Sequence, residues 1–278
     1  MADYDSGATG GVQVCARIFG SAIPMQICLH EIKRQIGKTD GLSCLDVGFD
    51  NGMMIRQLRK WGGKWHSLVS SPGIAGTVNA LVEDNVGVMT DSVLPFEDKV
   101  FDVLVVREVM ERTVDDTAFI QECHRVMKPD GRLILSVRHK KMFTLMNLVR
   151  RIARVRAEDL QWARSGYSEK VLFNVLKTGF DVTGVRSYTR FLVELTDTFV
   201  RSSSKNLTPS RDGERLLRIY AMARPFYSLA YQLDMLFFMT RGYHMVVLGK
   251  RRAWRARQAP ILHDGRTIGE AVLSRANS

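Results

Sequence analysis

The stretch Ser43-Cys44-Leu45-Asp46-Val47-Gly48-Phe49-Asp50-Asn51-Gly52 constrains the fold more than any other part of the chain. An apolar run containing one acidic residue meets a glycine-bearing turn, and a helical pattern follows from Met53 to Lys60. A strand, a tight turn and a helix N-terminus together make a pocket for a nucleotide-like ligand. Glycine lets the backbone approach closely, and the first helical N–H groups face outward. Such a turn is a weak signal alone, so its meaning depends on what surrounds it.

The surroundings alternate. Lys64 to Val69 reads as a second strand, Ser70-Ser71-Pro72-Gly73 suits the start of a helix running to about Asn85, and Val86 to Thr90 is a short third strand. Phe101 to Val106 is almost wholly apolar, as a strand covered on both faces requires. Asp115 to Met127 is helical by period, with Phe119, Ile120, Cys123 and Val126 on one side. Lys128-Pro129-Asp130-Gly131 forms a turn before a fifth strand, Arg132 to Val137. Strands alternating with helices predict an α/β doubly wound, mostly parallel sheet, entered through a helix from Val12 to Ile36 that is interrupted near Gly20 and Pro24.

After residue 138 the pattern changes. Lys141 to Leu160 reads as a basic amphipathic helix and Ser168 to Thr178 as another, whereas Asp181 to Thr196 alternates like a strand. Residues 201–215 are polar and loop-like, Glu214 to Thr240 is mostly helical, and Tyr243 to Gly249 is a last strand. The organisation expected is a disordered N-terminus (1–11), one domain (12–250) with helical lid or insertion segments at 140–165 and 197–241, and a basic mobile tail (251–278).

Charge separates the two halves. Residues 1–138 hold 15 Lys+Arg against 18 Asp+Glu, and residues 139–278 hold 25 against 11, so the net +11 arises entirely in the second half. Four cysteines without paired spacing predict reduced thiols in a cytoplasmic protein, and no window approaches the roughly 18 apolar residues of a membrane span.

With these elements in order, LDVGFDNG (45–52), VLPFEDKVFDVLVV (93–106), VMERTVDDTAFIQECHRVMKPDGRLILSV (109–137) and YSEKVLFNVLKTGFDV (167–182) resemble the motifs of the class I S-adenosylmethionine-dependent methyltransferases, type 11. The resemblance implies a seven-stranded Rossmann-like sheet, S-adenosylmethionine as cofactor, and methyl transfer to a small-molecule, sugar or lipid-linked acceptor at a hydroxyl. It also implies cofactor contacts at Asp46, Gly48, Phe49, Asp50, Asn51, Gly52, Val69, Ser70, Asp91, Ser92 and Arg107. Two departures stand out. The middle glycine of the first motif is Asp50, and strand two ends on Val69 or Ser70, where the family places an acidic residue; serine offers one hydrogen bond in place of a bidentate pair. They motivate the competing expectation of a methyltransferase-like protein that binds or scaffolds without catalysing.

Glu108 and His139, each just past a strand's carboxyl end, are the candidate bases, because Arg112 stands where the family carries histidine and cannot accept a proton. Arg107-Glu108-Val109-Met110 matches neither base-methylating signature of the fold, which argues against nucleic acid as acceptor. The basic second half fits a solvated face or lid, an anionic acceptor, or an anionic membrane surface at the inner face. For the last, Met142 to Val155 supplies an apolar face beside Arg150, Arg151, Arg154 and Arg156, and Lys250 to Arg257 adds a basic cluster around Trp254. The sequence leaves the oligomeric state open.

Overall fold

The computed structural model describes residues 14, 16–48, 53–82, 85–89, 92–140, 164–204, 207, 212–237 and 240–252. Its centre is a seven-stranded sheet in the order β3-β2-β1-β4-β5-β7-β6. The strands are β1 (Ser43–Gly48), β2 (Lys64–Val69), β3 (Val86–Val88), β4 (Phe101–Arg107), β5 (Met127–Arg138), β6 (Phe180–Tyr188) and β7 (His244–Arg251). β1, β2, β3, β4 and β5 pair in parallel, while β7 lies antiparallel between β5 and β6. Chain order reverses between β1 and β4, and ligands of open α/β sheets bind beyond the carboxyl ends of the strands at such a switch point.

Seven helices are named: α1 (Ile23–Ile36), α2 (Met53–Arg59), α3 (Pro72–Val82), α4 (Asp116–Val126), α5 (Glu169–Leu176), α6 (Phe191–Ser204) and α7 (Gly213–Asp234). The period-2 alternation of each strand sorts them into two layers. On one face Leu45, Val47, Leu104, Val106, Leu133 and Leu135 pack against Phe119, Ile120 and Cys123 of α4 and Leu172 and Leu176 of α5. On the other, Cys44, Val103, Val105 and Ile134 pack against Ile32 and Ile36 of α1 and Met54 and Leu58 of α2. Toward the carboxyl edge this second face turns polar. Arg107 is paired in register with Gly48 and Ser136, and Arg138 with His244. A core face that ends in charged residues marks the place to look for chemistry.

Several expectations shift. The turn expected at Lys128 to Gly131 lies inside β5 as an irregularity, where the pairing with β4 jumps from Phe101↔Met127 to Val103↔Arg132. The strand expected over Asp181 to Thr196 ends at Tyr188, and α6 begins at Phe191. The reason is long-range: Asp234, at the end of α7, accepts hydrogen bonds from Leu192 N (2.9 Å) and Val193 N (3.0 Å) and so caps α6 from outside. The loop expected over 201–215 is correspondingly shorter, with α6 reaching Ser204 and α7 beginning at Gly213. The basic helix expected over Lys141 to Leu160 falls almost wholly outside the described residues, as does the tail beyond Arg252. Among the described residues no helix is long and apolar enough to cross a membrane.

Candidate active site

β1 and β4 place two opposite charges inside the sheet's second face. Asp46 is fully buried and Arg107 nearly so; Arg107 Nε and Nη2 donate to the two carboxylate oxygens of Asp46 at 2.9 and 2.8 Å. This two-pronged geometry satisfies the carboxylate and fixes the guanidinium plane. It also sets the guanidinium over Gly48: a Cβ built on that glycine would lie 2.6 Å from Arg107 Nη2. Asp46, expected at the cofactor, is here the anchor of Arg107.

Beside Arg107 opens a cleft of about 210 Å³ between α1, α6, α7 and the carboxyl edge of the sheet. Glu108 lines it and adopts a left-handed backbone conformation (φ 54°), as does Thr189 on the opposite wall (φ 50°). Non-glycine residues rarely hold such conformations, and they concentrate where surrounding structure enforces them for function. Burial alone would raise the Glu108 carboxyl, but Arg201 foremost, with His244, Arg138 and Arg112, brings it down to about 2. Glu108 is therefore ionised at neutral pH and a weak proton acceptor.

α6 sends two carboxylates inward. Asp197 accepts from Arg201 Nε at 2.6 Å and from the Tyr227 hydroxyl at 2.8 Å, and Arg201 reaches Glu108 at 3.6 Å. Glu194, buried, takes a guanidinium N–H of Arg138 on one oxygen and lies 3.2 Å from His244 Nε2 with the other. An ionised carboxylate can only accept, so Nε2 carries the proton and Nδ1 holds the lone pair. His244 lines the cleft, and its buried Nδ1 has no hydrogen-bond partner among the described residues. A neutral wall completes the site: Ser136 Oγ sits 2.8 Å from the Tyr188 hydroxyl and 3.7 Å from Cys28 Sγ. Burial raises the pKa of both the Tyr188 phenol and the Cys28 thiol, so both stay protonated.

Of the residues singled out in the sequence, Asp46, Gly48, Arg107 and Glu108 come together at the β1/β4 edge. Val69, buried, ends β2, with Ser70 half-buried behind it; Ser92 is half-buried after β3. Phe49, Asp50, Asn51, Gly52 and Asp91 lie outside the described residues. His139 is not among the cleft residues; its Nδ1 lies 3.1 Å from the Gly242 carbonyl. Sequence reasoning passed over His244, Glu194 and Arg138. A charged residue at the inward position of a buried strand, as Arg138 is after Ile134 and Ser136, was the available signal.

The family model described as a methyltransferase domain, type 11, matches residues 45–135, from β1 through most of β5. No curated protein matches the chain by sequence. Among solved structures, a candidate methyltransferase from Bacillus halodurans is 18% identical, with a TM-score of 0.56 over 80% of this chain and 97% of its own. A candidate sarcosine dimethylglycine methyltransferase from Galdieria sulphuraria is 17% identical, with a TM-score of 0.53 over 80% and 82%. The geranyl diphosphate C-methyltransferase of Streptomyces coelicolor, solved with Mg2+, geranyl diphosphate and S-adenosylhomocysteine, is 12% identical, with a TM-score of 0.53 over 82% and 78%. At these identities the likeness is one of fold. Motif order, sheet order and family match agree on the fold, with residues 45–135 matching the methyltransferase-domain model.

Proposed function

We propose that the protein transfers a methyl group from S-adenosylmethionine to a hydroxyl of a small-molecule, sugar or lipid-linked acceptor bound in the cleft. The observation that carries this reading is the adjacency of Gly48, Arg107, Glu108 and the His244–Glu194 pair at one sheet edge. Because Arg107 occupies the space over Gly48, the amino-acid end of the donor would meet the guanidinium there, and Arg107 supplies a cation for its carboxylate. Ser70 at the end of β2 and Ser92 after β3 would meet the donor's polar groups. The donor, when bound, supplies an already activated methyl group, so positioning of the acceptor provides much of the rate.

The chain's own groups then have separable tasks. Glu108, ionised, complements positive charge beside the sheet edge. His244 Nδ1 takes the hydroxyl proton, and Glu194 holds the ring in that tautomer while balancing the imidazolium that results. Arg138 keeps Glu194 in place, and the Cys28–Ser136–Tyr188 wall offers hydrogen bonds to the acceptor's remaining polar groups. Tritiated methyl transfer from S-adenosylmethionine into a fractionated cell extract tests the proposal. Incorporation that His244→Asn abolishes while donor binding persists supports it; equal incorporation by both proteins removes His244 from the mechanism.

A second reading rests on the same corner of the site. Arg107 fills the space over Gly48 and is held there by Asp46, as a protein that had lost catalysis and kept a binding role would permit. Calorimetry with S-adenosylhomocysteine separates the two readings, since only the first requires a donor site.

A further inference from the structure

α7 buries one side against α6 and α1 through Leu216, Ala223, Tyr227 and Ala230. A second stripe, centred about 110° round the helix from the buried one, is unusual. Met222, Phe226, Leu229, Leu233 and Leu236, the last in the 3-10 turn Met235–Phe237 that continues the helix, are exposed at 73, 65, 55, 40 and 74%. Their spacing is 4, 3, 4 and 3 residues. At about 100° per residue the five side chains fall within an arc of roughly 80°, the narrow seam of a helix that meets another helix.

We infer that this seam is a two-fold interface between two copies of the chain, with their α7 helices antiparallel. Three observations select this occupant. The residues immediately flanking the seam are Ala221, Pro225, Ser228 and Gln232, small or uncharged, which lets a second helix approach, while the exposed Arg224, Tyr231 and Met235 lie about 140–180° round from its centre. A helix lying on an anionic bilayer has a broader apolar face and carries Lys or Arg at its borders. The area suffices: at roughly 200 Å² per large apolar side chain, the measured exposures leave about 600 Å² on each copy. Two copies would then cover about 1,200 Å², above the roughly 1,000 Å² expected of a specific interface. Charge sets the direction. Arg215 and Arg218 are exposed at the N-terminal end of the helix, so a parallel pair would bring like charges together, whereas an antiparallel pair centred on Leu229 separates the two Arg218 side chains by about 33 Å along the axis. In a two-fold antiparallel pair Leu229, midway between Met222 and Leu236, faces its own counterpart, and Met222 faces Leu236 of the other copy. The interface would brace the α6–α7 pair, which supplies Asp197, Arg201 and Tyr220 to the cleft.

The full-length protein is examined by sedimentation equilibrium between 1 and 100 μM, together with oxidation of single-cysteine variants on a non-reducing gel, wild type serving as the control for native thiols. The inference predicts a species of twice 31.5 kDa. It further predicts a disulfide-linked dimer for Leu229→Cys, none for Met222→Cys alone, and a link when Met222→Cys and Leu236→Cys are mixed. Phe226→Glu should give a folded monomer with the wild-type far-ultraviolet circular dichroism spectrum, melting lower by the lost association and with a melting temperature that no longer depends on concentration, while Phe173→Glu on exposed α5 should remain a dimer. A wild-type monomer at 100 μM overturns the inference, all the more if that monomer sediments with anionic vesicles. Self-linking by Met222→Cys as efficient as that by Leu229→Cys overturns the antiparallel arrangement. If Phe226→Glu does not fold, the cysteine links decide.

Discussion

Removing Asp46 should expose how much the site depends on one buried ion pair. In Asp46→Ala, Arg107 loses the two carboxylate oxygens it grips, at 2.9 and 2.8 Å, while its guanidinium stays in a nearly solvent-free position. Breaking a buried pair by deleting one partner costs about 3–5 kcal/mol, mostly because the remaining charge is uncompensated. That is a large part of the roughly 5–15 kcal/mol by which a domain is stable. The origin of the loss makes a second prediction. Arg107→Met placed on Asp46→Ala should recover much of it, so the two single losses add to more than the double loss by about 2–3 kcal/mol. Urea denaturation followed by circular dichroism measures all four corners of the cycle. Losses below about 1 kcal/mol, or additive ones, would show that the pair behaves like a screened surface contact, and the reasoning fails. Gly48→Ala belongs to the same experiment: its Cβ would force Arg107 Nη2 away from 2.6 Å, so it should weaken donor binding while destabilising the fold less than Asp46→Ala.

Three further outcomes are expected. The Glu108 carboxyl is lowered from its ordinary 4.5 to about 2, so its contribution to stability is full above about pH 4.5 and lost as pH falls toward 2; Glu108→Gln should flatten that part of the wild-type stability profile. Asp234→Ala removes the cap on α6 and should cost about 1–2 kcal/mol in thermal or chemical unfolding, with the change absent if the helix start is fixed by packing alone. Glu111 Oε1 accepts from the Arg138 backbone N–H, so Glu111→Ala, which leaves that buried N–H unpaired, should cost about 1–3 kcal/mol, and Glu111→Gln, which keeps an acceptor, should cost less; equal losses would contradict this.

What the sequence reveals of this fold follows from the range of the interactions involved. The parallel core is legible because strand burial on both faces writes itself as consecutive apolar residues, as in Phe101 to Val106, and because Asp115 caps its helix locally through Ala118 N. The same local logic finds Ser168 as the cap of α5. The family's motif order sets Gly48 and Arg107 at neighbouring strand ends, and the two meet in register there. The start of α6 is not legible, since its cap, Asp234, stands about 40 residues downstream. The cleft's charged cluster is hidden for the same reason: His244, Glu194 and Arg138 lie on β7, α6 and β5 and meet only when β7 inserts antiparallel beside β5. His139, one residue past Arg138, has the right address in sequence but follows the strand end toward Gly242.

Donor binding decides whether Gly48 and Arg107 form one end of a working site. Isothermal titration of the protein with S-adenosylmethionine and S-adenosylhomocysteine should give saturable binding of both at one site per chain, weakened by Arg107→Met and by Gly48→Ala. No heat and no thermal shift at millimolar ligand would contradict it.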